Sequence, residues 1–236
     1  MSSLNLHQRR PHDPEAILKN TYFDDNGNTI YTVHTPLKLF DSTSVTTISK
    51  VVPIPSDNII DKALPLTWRK SNLVTLPPDG DDKHPTPSHE ADGDRSTFEY
   101  IAQIEWKILE SSKIRFGWGQ HSGREVLVKD FLRKKGWGSG GRRSVDKLNS
   151  LRHRVFTAED GKEYQWRLSS GHSELVSYDA LKTRIATFHP LVLFNSKKNP
   201  ARLEIFPAGL HMVDEIFVTF IYIEGLLEGK EKSTWA

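Results

Sequence analysis

None of the 236 residues is cysteine, which excludes disulfides, thiolate metal sites and thiol chemistry. No long hydrophobic run occurs either. The longest, Ile216 to Ile223, lies between Glu215 and Glu224 and falls far short of the ~20 residues that cross a bilayer. The N-terminus, Met1 to Asn20, carries Arg9, Arg10, Asp13 and Glu15 and lacks the apolar core of a secretory signal. These absences lead to the expectation of a soluble, cytoplasmic chain that meets a membrane only at its surface.

Catalytic and metal signatures are missing too. The ten histidines include no pair at the helical spacing of zinc hydrolases, and His84 and His89 fall in an acidic, proline-containing stretch. Ser122 lies beside His121 but lacks the glycine-flanked nucleophile elbow and an identifiable acid partner. Glu159 and Asp160 fall on a predicted turn, where they serve the turn and solvent. Gly136 to Ser144 superficially resembles a phosphate loop, yet Arg142-Arg143 follows Gly141 where Lys-Ser/Thr is required. No catalytic residue, metal ligand or cofactor is assigned, and the chain reads as non-catalytic.

What the sequence does contain is strand patterning. Tyr100 to Ile108 places Tyr100, Ala102, Ile104, Trp106 and Ile108 on one face and Gln103, Glu105 and Lys107 on the other. Arg154 to Leu168 reads as a hairpin turning at Asp160-Gly161, and a second turns at Asn26-Gly27 between Tyr22-Phe23 and Ile30-Val33. Further strands are expected over Val45–Val52, Lys113–Trp118, Glu125–Phe131, Glu174–Ser177, Arg184–Phe188 and Arg202–Phe206. Many short strands separated by turns indicate a sandwich or barrel. From Leu210 to Leu227 apolar residues occupy every side, which predicts a buried helix with Asp214 and Glu215 near its positive end. Trp68, Trp106, Trp118 and Trp166 are expected in the core rather than in an aromatic cage. The domain plan is a disordered N-terminus over 1–20, one β domain over 21–230 and a tail over 231–236. A disordered acidic, Pro-containing insertion is expected at about 76–96.

Charge is small in sum but unevenly placed. The net value is +2, yet residues 124–154 hold ten Lys/Arg against three acids, leaving −5 on the remainder. Within this stretch Arg133, Lys134, Lys135, Arg142 and Arg143 flank a glycine-rich run, and Trp137 stands between the basic pairs. Arginine forks onto phosphate oxygens, lysine supplies point charge, and tryptophan suits a membrane interface. These six residues are the candidate anion- or lipid-binding set, and a solvated hairpin tip is the plain alternative. Anionic membrane lipid or a protein is the expected partner, with single-stranded nucleic acid a weaker third.

Three segments carry a family resemblance: Ile104-Glu105-Trp106, Ala158 to Arg167 (AEDGKEYQWR) and Leu203 to Glu224 (LEIFPAGLHMVDEIFVTFIYIE). In order and spacing they resemble an uncharacterised family abundant in mushroom-forming fungi, over roughly Thr21 to Glu228. That family is similar in fold to the tubby C-terminal and phospholipid-scramblase-like group. The resemblance implies a mainly β fold, a closed antiparallel β-barrel wrapped around an apolar C-terminal helix. It carries over no ligand-binding residue.

Overall fold

In a computed structural model, residues 2–13, 15–36, 43–53, 96–107, 111–134, 153–169, 172–191 and 200–234 are described. They form thirteen strands: β1 Leu4–Gln8, β2 Asn20–Phe23, β3 Thr29–His34, β4 Thr43–Pro53, β5 Ser96–Lys107, β6 Lys113–Phe116, β7 Glu125–Leu127, β8 Arg133–Lys134, β9 Arg154–Thr157, β10 Glu163–Ser169, β11 His172–Ser177, β12 Arg184–His189 and β13 Arg202–Ile205. A one-turn helix, α1 (Val128–Phe131), separates β7 from β8, and a long helix, α2 (Val213–Thr234), ends the chain.

Every ladder is antiparallel, and the strand order is β7-β6-β5-β4-β3-β2-β1-β13-β12-β11-β10-β9-β8. Chain neighbours pair throughout, except that β1 pairs with β13 and so joins the two halves of the sheet. The sheet ends, β7 and β8, are consecutive in the chain, and no ladder joins them among the described residues. The fold is therefore mainly β and antiparallel as anticipated, but among the described residues the hydrogen bonding of the expected barrel does not close. The physical reason lies in α1. Val128, Phe131 and Leu132 bury themselves at the seam, and Phe131 packs against Phe116 of β6 and Phe156 of β9 at 5.2 and 5.8 Å between ring centroids. Side-chain packing fills the place a ladder would take.

The sheet curves around α2. Six consecutive residues, Ile216 to Ile221, are wholly buried. Six positions exceed the 3.6 of one helical turn, so protein covers every side of the helix. Phe217 stacks on Tyr31 of β3 at 4.1 Å and meets Tyr22 of β2 edge-on at 4.8 Å. Phe220 reaches Phe188 of β12, and Tyr222 stacks on Trp106 of β5. Each fully buried apolar side chain of this size contributes roughly 1.5–3 kcal/mol, which outweighs the weak helix propensity of so many β-branched residues. Trp106 lies so close to the helix that a Cβ on Gly225 would stand 2.8 Å from its ring.

Both predicted hairpins form, with φ of +85° at Gly27 and +78° at Gly161, conformations that glycine adopts without steric cost. Three expectations need correction. Residues 1–20 were expected to lack order, yet β1 lies at the middle of the sheet with Leu6 wholly buried, and Ala16 and Ile17 are buried beyond it. Leu4, Leu6 and Gln8 alternate too briefly within a polar segment for periodicity to be visible. Glu125–Phe131 was expected to be one strand, but it stops at Leu127 and turns into α1. The helix runs through to Thr234, into the expected tail. Trp68, Ile108 and the insertion over 76–95 lie outside the described residues.

Candidate functional site

Of the six candidate lipid contacts, the structure places two. Arg133 and Lys134 form β8, paired with Val155 and Arg154 of β9, and both are exposed. Arg133 also forms an ion pair with Glu163 of β10. Lys135, Trp137, Arg142 and Arg143 lie outside the described residues. The segments on either side are seated in the core: Phe131 and Leu132 are buried before β8, and Arg154, Val155 and Phe156 are buried in β9. Exposed cations on a strand whose neighbours are core residues have a fixed position on the surface.

Ser122 and His121 each contact other groups. The Ser122 hydroxyl donates to the Gly117 carbonyl at 3.2 Å, while the His121 ring lies against Phe116 and Phe131. Trp166 is wholly buried, and its indole N–H donates to Thr219 on α2 at 3.0 Å. Trp106 and Trp118 are partly buried against the core.

A cavity of about 720 Å³ opens where α2 begins. Pro207–Met212 forms a 3-10 turn that leads into α2 and supplies Leu210, His211 and Met212 to its wall, and α2 itself supplies Asp214 and Glu215. Facing them are Ile30 and Tyr31 of β3, Lys50 of β4, Trp118, and Glu159 and Asp160 of the β9–β10 turn. The sequence carries these acids as pairs 55 residues apart, each with an ordinary local explanation. The hairpin turn and the helix entry meet only in the fold: the Glu159 backbone N–H donates to Glu215 Oε2 at 3.3 Å.

The four carboxylates differ in how they are satisfied. Asp214 accepts both contacts of Lys50 Nζ, at 2.9 and 3.0 Å, and the Tyr31 hydroxyl also donates to it. Burial first, and then the Asp214 charge, raise the Tyr31 hydroxyl well above the usual phenol range. Burial pulls Asp160 upward, but the Lys162 N–H, the Tyr164 hydroxyl at 2.8 Å and His211 at 3.2 Å together hold it below the usual carboxylate range. Glu159 accepts the Gln120 N–H at 3.2 Å. Glu215 is the exception. It is 6% exposed, it accepts one hydrogen bond, from the Glu159 N–H, and burial pushes its carboxyl up to about 7. The Glu159 N–H lowers it in part, and the charges of Glu159 and Asp160 add to the rise. A carboxylic acid poised near neutrality on a cavity wall is a functional pointer that sequence periodicity does not contain.

Among the described residues, no three His, Asp or Glu side chains stand close enough to hold a metal ion. No helix there is long and apolar enough to cross a membrane.

No curated protein and no solved structure matches the chain. Residues 16–228 match the family described as Family of unknown function (DUF6593), a span from the segment before β2 to the body of α2. It contains both the cavity wall from Ile30 onward and the basic stretch after α1. The chain belongs to the DUF6593 family.

Proposed function

We propose that this protein is a non-catalytic binding module that docks on anionic phospholipid at the cytoplasmic face of a membrane. Its contact set is Arg133, Lys134, Lys135, Trp137, Arg142 and Arg143. The observation that carries this reading is the exposure of Arg133 and Lys134 on β8, the last strand of the sheet, next in the chain to its most basic and glycine-rich stretch. Charge placed there costs the core nothing and adds about 1 kcal/mol per Lys or Arg near an anionic surface. The antiparallel sheet curved around an apolar C-terminal helix supports a likeness to the tubby C-terminal and scramblase-like group, which is a likeness of architecture alone.

Co-sedimentation with vesicles of phosphatidylserine, phosphoinositide or neutral lipid, at low and physiological salt, tests the reading. Pelleting with the anionic vesicles that weakens as salt rises is the expected result. Equal pelleting with neutral vesicles, or indifference to salt, argues against it. A second reading, a protein-interaction module, is favoured by the sheet ends, since β7 and β8 each pair on one side only among the described residues. Capture of a protein that survives reversal of Arg142 and Arg143 separates the two. Trp137→Ala distinguishes the third candidate, because single-stranded nucleic acid depends on stacking as much as on charge.

A further inference from the structure

We propose that the cavity at the start of α2 binds a small organic monocation, a protonated amine with an apolar body, its nitrogen held by Glu215 and its body packed against Trp118 and Leu210. The volume, about 720 Å³, falls within the ~300–1,000 Å³ of small-molecule sites. The walls are mixed in the way such sites are, with Ile30, Trp118, Leu210 and Met212 between polar groups.

Charge selects the ligand class. Four carboxylates face the space, and Lys50 neutralises only Asp214. Asp160 is already satisfied by three donors. The uncompensated charge therefore rests on Glu159 and Glu215. Glu215 stands out because it is more than nine-tenths buried, accepts one hydrogen bond, from the Glu159 N–H, and lines the cavity. A largely buried carboxylate that accepts a single hydrogen bond is costly to ionise, and an ammonium group supplies both a further donor and the opposite charge. The helix end itself, worth about half a positive charge, does not turn the site toward anions, since Asp214 and Glu215 outweigh it. A bare metal ion lacks three convergent ligands among the described residues. Trp118 adds an aromatic surface of the kind that accepts cations and alkyl groups alike.

The test is isothermal titration of the full chain with phenethylamine and with 2-phenylethanol, its neutral counterpart, at pH 8. The amine is expected to bind once per chain and at least tenfold more tightly than the alcohol. Glu215→Gln should weaken the amine at least tenfold and leave the alcohol unchanged. Glu163→Gln, which removes an acid outside the cavity, should change neither. Trp118→Leu should weaken both ligands, which reports on the apolar wall independently of Glu215. Amine affinity should also fall from pH 8 to pH 6 as Glu215 takes up its proton, with Glu159 and Asp160 from the hairpin turn, Lys50 and Tyr31 from the sheet, His211 before α2 and Asp214 in its first turn as the other titratable groups on the wall. Equal affinity for the alcohol, an unchanged amine affinity in Glu215→Gln, or no amine binding in the millimolar range would each overturn the proposal.

Discussion

Replacing Glu215 with glutamine tests the electrostatics of the α2 entrance directly. The folded carboxyl titrates at about 7 against an ordinary value of 4.5, chiefly because burial penalises its charged form. Between those values the unfolded chain has released this proton while the folded chain still holds it. Stability from this group is thus fully present below pH 4.5 and declines as the pH rises through 7. At about 1.4 kcal/mol per pH unit, the difference amounts to about 3 kcal/mol across the window. Glutamine keeps an oxygen for the Glu159 N–H and never ionises, so it is free of that loss. Urea unfolding of both proteins at pH 5 and pH 8 reads the effect. The variant should gain about 2.5 kcal/mol relative to the parent between pH 5 and pH 8. Depressed acids such as Asp160 contribute equally to both proteins and cancel. A stability difference that stays constant with pH would refute the assignment of a buried, poorly satisfied carboxyl.

Thr219→Val keeps the shape of a wholly buried side chain but leaves the Trp166 indole N–H without its acceptor, so a loss of about 1–3 kcal/mol is expected in urea unfolding. Gly117→Ala places a Cβ 2.5 Å from the Tyr100 carbonyl oxygen and 2.7 Å from its ring. Since Gly117 N–H also donates to Ile101 at 2.6 Å, β5 cannot easily retreat, and a loss of about 1–3 kcal/mol should appear as a lower Tm. Phe217→Ala removes a ring packed against both Tyr22 and Tyr31 and should cost about 3–5 kcal/mol, measured the same way.

Strands and helix were legible where local chemistry determines them. Asn26-Gly27 and Asp160-Gly161 form their turns because only a few residue types tolerate positive φ, and that preference acts within four residues. The central helix was legible for a related reason: a stretch apolar on every side has nowhere to go but the interior, and six consecutive buried residues are the result. Closure of the sheet was not legible, because whether β7 and β8 pair depends on how Phe131 fills the space between strands far apart in sequence. Nor was β1, a short strand whose burial comes from its neighbours β2 and β13 rather than its own composition. The cavity was hidden for a third reason. Asp214 and Glu215 read as ordinary acids at a helix start, and Glu159 and Asp160 as ordinary turn residues. Their chemistry arises only when the fold sets one pair against the other. In contrast, the basic stretch after α1 is visible from sequence because charge needs no partner to be counted.

The central claim, docking on anionic lipid through that stretch, is tested most directly by a double reversal, Arg142→Glu with Arg143→Glu, measured against phosphatidylserine vesicles. Two arginines contribute about 2 kcal/mol near such a surface, and two acids in their place add repulsion of comparable size. Vesicle affinity should therefore fall on the order of a hundredfold or more while the Tm stays unchanged. Undiminished binding by the reversed protein would contradict the account.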